Sequence, residues 1–109
     1  MNKNKTVAKV LTLSSADVYV VPAAFKAEVD SIVITNGSDS HVDVTLQWYE
    51  ATTTSTYDIA DAVRMTPRSM LQLTNAFYLD KNDKIVGSAS VTDVITINVR
   101  TREYFAERL

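Results

Sequence analysis

Chemistry in a small chain needs convergent polar groups, and the candidates here are few. His41 is the single histidine, placed where a polar run gives way to an alternating apolar one. One imidazole cannot build a histidine cluster, and with no cysteine there is no thiolate ligand, redox pair or disulfide. Serines and acids are present, yet no nucleophile-elbow pattern joins one of each to His41, so a catalytic triad is not expected. The run Asp80-Lys81-Asn82-Asp83 has the outline of a calcium loop. With Asp80 in first place, however, Ile85 occupies the glycine position and Val91 the closing acid position, so an ordinary charged turn is the simpler reading. Glu28, Glu50, Asp58 and Asp61 pair as carboxylates only in a fold that their spacing does not dictate, and a surface role suits them better. The expectation is no catalytic residue, no cofactor and no metal.

Binding chemistry is thin as well. Arg64, Arg68, Arg100, Arg102 and Arg108 offer phosphate contacts, and Tyr57, Tyr78 and Tyr104 offer stacking platforms. The formal charge is nevertheless −2 and acids are interspersed among the arginines. Salt links or subunit contacts account for these residues more simply than nucleic acid. Asn36-Gly37-Ser38 satisfies the glycosylation tripeptide, but a turn is its expected role. Trp48 suits a sugar-binding surface in isolation; its phase with Val42, Val44 and Leu46 favours core packing.

The elements that would position these groups are strands. At 109 residues and 46% apolar content the chain suffices for one domain with a modest core. No apolar run is long enough to cross a bilayer as a helix, and the opening residues are too polar for a signal-peptide core. Residues 28–50 organise the rest: two alternating apolar runs flank Asn36-Gly37-Ser38-Asp39-Ser40, which reads as a β-hairpin. Its Ile, Val, Leu and Trp face requires a second layer to cover it. Before it come a strand over 6–14, a short β-prone segment ending near Pro22, and a connection over 23–27 for which a helix is the competing reading. After it come a hydroxyl-rich connection over 51–56 and a returning strand at Tyr57, Ile59 and Val63, with a short helix near Asp61 as the alternative. A turn over 64–69, a strand over 70–74, the Phe77-Tyr78-Leu79 anchor and a polar turn over 80–84 follow. Residues 84–89 are expected to pair with 94–102, and Gly87 invites a bulge or an unusual dihedral.

These segments predict an all-β, compact antiparallel β-sandwich, Ig-like or jelly-roll-like, with barrel closure as the nearest alternative. The expected division is a flexible N-terminal arm at 1–5, a single β-sandwich domain at 6–103 and a C-terminal docking tail at 104–109. Tyr104, Phe105 and Leu109 are positioned to dock on the same subunit or a neighbour, and with Arg100 and Arg102 they form the expected subunit contacts.

Val18-Tyr19-Val20-Val21-Pro22-Ala23, the runs at 29–36 and 42–49, and Leu79-Asp80-Lys81-Asn82-Asp83-Lys84-Ile85 ahead of Ser88-Ala89-Ser90 together form a pattern. By that pattern the chain resembles the small β-sandwich virion structural proteins of tailed bacteriophages. Members often have glycine after Val-Pro-Ala, where this chain has Ala24. Their late Asp-Lys-Ile rhythm is expanded here by Asn82-Asp83-Lys84. The resemblance implies a noncatalytic, multicopy virion component, capsid decoration or cement first, head-to-tail or tail attachment second. It implies homo-oligomeric assembly with a major capsid protein or other virion proteins as partners, no small-molecule substrate, no membrane, and residence in a virion assembled in the host cytoplasm. A carbohydrate- or protein-binding module is the alternative, using loops near 52–56 and 80–84.

Overall fold

The computed structural model describes residues 3–74 and 77–105. Nine strands lie among them: β1 (Lys3–Val10), β2 (Ala16–Val20), β3 (Phe25–Asn36), β4 (Val42–Glu50), β5 (Ser55–Met65), β6 (Met70–Leu73), β7 (Phe77–Leu79), β8 (Lys84–Ala89) and β9 (Ile95–Phe105). One sheet runs β1-β9-β3-β6, with β7 pairing β3 beyond the end of β6; the other runs β2-β8-β4-β5. All pairings are antiparallel.

The pairing is nested. β4 pairs β5, β3 pairs β6 and β7, β2 pairs β8, and β1 pairs β9, so the chain is one long hairpin whose tip is residues 51–54. Rolling that hairpin adds the β3·β9 and β4·β8 ladders and closes two layers. This is the jelly-roll arrangement, and between the two sandwich forms the sequence allowed it selects that one. Ile32 and Ile34 of β3, Val42, Val44 and Leu46 of β4, and Ile95, Ile97 and Val99 of β9 meet in the fully buried core. Each such side chain contributes roughly 1.5–3 kcal/mol by leaving water.

Nesting corrects two expectations. β3 and β4 do not form a hairpin; they belong to opposite sheets, and residues 37–41 arch between them. Period-2 alternation is satisfied equally by side-by-side strands and by facing strands, and a connection of this length spans the ~10 Å between layers. Likewise β8 and β9 do not pair with each other, because residues 90–94 carry the chain across to the other sheet. The boundaries differ too. β1 begins at Lys3, in register with Glu103, so residues assigned to the arm and to the tail as far as Phe105 are laddered in the sheet. Leu109 lies outside the described residues.

Neither alternative helix forms. At Pro22 the chain makes a β-turn in which the Phe25 amide donates to the Pro22 carbonyl (3.1 Å). Ala24 takes φ 71°, the left-handed value at the third turn position, where glycine is free of the Cβ clash. The turn therefore keeps a glycine-favouring geometry without the glycine. Ala24→Gly is expected to stabilise the protein by about 1 kcal/mol, read as a rise of several degrees in the thermal midpoint. Near Asp61 the strand instead takes extra residues against β4, and the Ala62 amide (φ 49°) donates to Thr45 Oγ1 at 3.1 Å. Gly87 has no left-handed dihedral; a Cβ there would lie 2.9 Å from Leu46 Cδ2 and 3.3 Å from Leu11 Cδ2, so glycine permits close packing.

Candidate functional site

The registers place the connections at 11–15, 37–41, 66–69 and 90–94 at one end of the sandwich. The connections at 21–24, 51–54 and 80–83 lie at the other end, with the start of β1 and the last residues of β9. The aromatic residues divide unequally between the two halves. The chain has one Trp, five Tyr and three Phe, and all of them fall in the half next to the second end. The first half is packed by Leu11, Ile34, Val42, Met65 and Ile95.

Around that aromatic end Phe105 stacks on Phe25 (centroids 4.9 Å), Trp48 leans on Tyr57 (5.1 Å), and Lys84 Nζ lies 5.5 Å from the centroid of Tyr49. Tyr57, Tyr78 and Phe105 are 46%, 67% and 57% exposed. Trp48 is half-buried against the core, not sealed within it. It is oriented by Asp83, which is only 2% exposed although it stands in a turn. Asp83 accepts hydrogen bonds from the Ala51 amide (3.0 Å), the Asp80 amide (2.9 Å) and Trp48 Nε1 (3.4 Å). The carboxylate thus ties the 80–83 turn to the 51–54 tip, a structural role that the residue pattern of a charged turn does not announce.

A second buried acid underlies the same half. Glu103, fully buried on β9, accepts from the Tyr19 hydroxyl (2.6 Å) and lies 3.7 Å from Lys5 Nζ. Burial raises the Tyr19 phenol well above its ordinary value, and the hydrogen bond to Glu103 and that residue's charge push it further. Tyr19 therefore stays protonated through the neutral range and holds the carboxylate as a donor.

Of the expected contact residues, Tyr104 and Phe105 belong to the aromatic end. Arg100 and Arg102 point outward from β9 on the broad face of the first sheet, and Arg102 Nη1 is engaged by Glu28 Oε1 at 3.2 Å. Tyr104 continues the same outward-facing row of β9, whereas Phe105 points to the opposite face. His41 is exposed in the arch. Among the described residues no group of three or more His, Cys, Asp or Glu could hold a metal ion.

Each free sheet edge is blunted. β1 turns Lys5 and Lys9 toward the inner face, opposite Thr101 and Ile97. β5 carries two register shifts, β2 one shift in five residues, and β6 and β7 have only four and three residues. Inward charges, bulges and short strands all obstruct addition of a further strand. Association is left to side-chain surfaces.

No family model matches the chain, and no curated protein matches it. Solved structures do. The chain superposes on a protein from "Bacillus endospore appendages", described as forming a family of disulfide-linked pili, with TM-score 0.59 at 12% identity, covering 98% of this chain and 88% of that one. It superposes on a protein of the acidic stable capsid of Helicobacter pylori bacteriophage KHP30 with TM-score 0.56 at 14% identity, covering 97% and 89%. A protein of the T13 IBDV viral particle matches with TM-score 0.56 at 8% identity, 94% of this chain against 30% of that one. With no cysteine, this chain cannot make the disulfide linkage named for the appendages. What the described residues share with these viral capsid and bacterial pilus structural proteins is the fold, an antiparallel β-sandwich of jelly-roll order.

Proposed function

We propose that the chain is a noncatalytic structural protein of a bacteriophage virion, present in several copies and held to the capsid as a decoration or cement subunit through protein-protein contacts. The observation that carries this reading is the aromatic end, where Tyr57, Tyr78 and Phe105 stand exposed on a body whose strand edges are all blunted. Tyr, Trp and Phe are the side chains that interfaces concentrate, because they bury large area at low cost in rotamer freedom. The shared fold with capsid and pilus proteins supports an assembly role, and the match to a protein of a bacteriophage capsid supports the virion. Residence in the virion, with assembly in the host cytoplasm, follows from the same reading.

The test is incorporation. Mass spectrometry of purified virions is expected to find the chain in many copies. The variant Tyr78→Ser/Phe105→Ser is expected to fold, with its thermal midpoint within a few degrees of the parent, because both side chains are more than half exposed. Its incorporation should fall at least tenfold. Absence of the parent chain from purified virions, or full incorporation of the variant, would overturn the reading.

A further inference from the structure

A cleft of about 380 Å³ opens at the aromatic end, lined by Trp48, Tyr78 and Tyr104 together with Glu50, Asp80, Asp83 and Lys26. Its volume lies in the lower range of small-ligand sites. Its walls are pre-organised: the Trp48 ring is held by Asp83 on one edge and by Tyr57 at 5.1 Å, so little ordering is left for binding. Its charge is one-sided. Three carboxylates face one ammonium, and Lys26 Nζ is already 3.8 Å from Asp80 Oδ1. Asp83 is already engaged by three N–H donors, whereas Glu50 accepts one local hydrogen bond, from Thr53 Oγ1 at 2.9 Å.

Aromatic faces combined with an excess of carboxylate favour a cation over a neutral polyol. The ring quadrupoles attract positive charge, and the acids complement it. A neutral sugar would use the rings but gain nothing from the net charge. Arginine fits better than lysine, because its planar guanidinium stacks on a ring while its N–H groups reach a carboxylate.

We propose that this cleft receives an arginine side chain from a basic segment of a partner protein, with the guanidinium against Tyr78 and Trp48 and its donors on Glu50. The inference takes from the proposed function only that the partner is a protein.

Trp48 is the only tryptophan, so its fluorescence reports directly on the cleft. The peptide acetyl-Gly-Arg-Gly-Arg-Gly-amide, titrated into the full chain, is expected to change Trp48 emission saturably. Its citrulline counterpart, of equal shape and no charge, should bind at least tenfold more weakly. Tyr78→Ala and Glu50→Gln should each weaken the arginine peptide about fivefold. Both peptide comparisons use the parent protein, so the outcome does not depend on a variant folding. No saturable change, equal response to the citrulline peptide, or saturation by cellohexaose in place of the peptide would overturn the proposal. Virion incorporation is measured separately, so failure of the titration and failure of the assembly reading are distinct results.

Discussion

Asn36→Ala is expected to lower stability by about 3 kcal/mol. Asn36 is fully buried where β3 leaves its sheet, and its side chain holds the arch to β4 together. Nδ2 donates to the carbonyls of Ser40 (2.9 Å) and Thr66 (3.1 Å), with Met65 O at 3.4 Å, while Oδ1 accepts from the Ser38 amide (3.0 Å) and hydroxyl (2.8 Å). Alanine removes all of these bonds at once, four of them part-buried and the one to Met65 buried, at about 0.5–1.5 kcal/mol for each bond lost. In urea the midpoint should fall with the slope unchanged, and the thermal midpoint should drop by roughly 12–20 °C. Asn36→Asp should fare no better, since it presents a carboxylate to the carbonyls that the amide now satisfies. A change below about 1 kcal/mol for the alanine variant would mean that the arch is held by its backbone alone.

Tyr19→Phe is expected to cost about 2 kcal/mol at neutral pH and to alter the alkaline limb of the stability curve. The lost hydroxyl donates a 2.6 Å bond to the buried Glu103 carboxylate, and hydrogen bonds to charged groups are the stronger kind. In the parent, the folded phenol holds its proton above the unfolded value of 10.0. The stabilisation is therefore complete below about pH 10 and is lost as pH rises beyond it, at no more than about 1.4 kcal/mol per pH unit, because the unfolded chain releases a proton that the folded chain retains. Phenylalanine has no such proton, so the parent and variant curves should converge above pH 10. Denaturant titrations at pH 7, 9, 10.5 and 11.5 check this, and parallel curves across that range would exclude Tyr19 as the source.

The strands themselves were legible in the residues, and the way they partner was not. Val42, Val44, Leu46 and Trp48 alternate visibly, as do Ile95, Ile97 and Val99. That pattern states which face is buried and is silent on whether the next strand lies beside or opposite. Hence the hairpin at Asn36-Gly37-Ser38 becomes an arch, and 84–89 finds β2 and β4 in place of β9. Tyr104 and Phe105 stood out because two aromatics close a polar segment. Asp83 and Glu103 did not: each is one acid in a charged stretch, and only long-range packing against Trp48 and Tyr19 makes it buried. Lys5 and Lys9 likewise carry no mark of a sheet edge in the residues around them, and their value there emerges only once β1 is known to be outermost.

The central claim is that copies of this chain assemble through the aromatic end of a closed β-sandwich. A density map of an intact virion, at a resolution that places side chains, tests it most directly. Tyr57, Tyr78 and Phe105 should be buried against a neighbouring protein, with β1 and β5 free of any added strand. An aromatic end facing solvent, or a neighbour's strand laddered onto β1, would contradict the account.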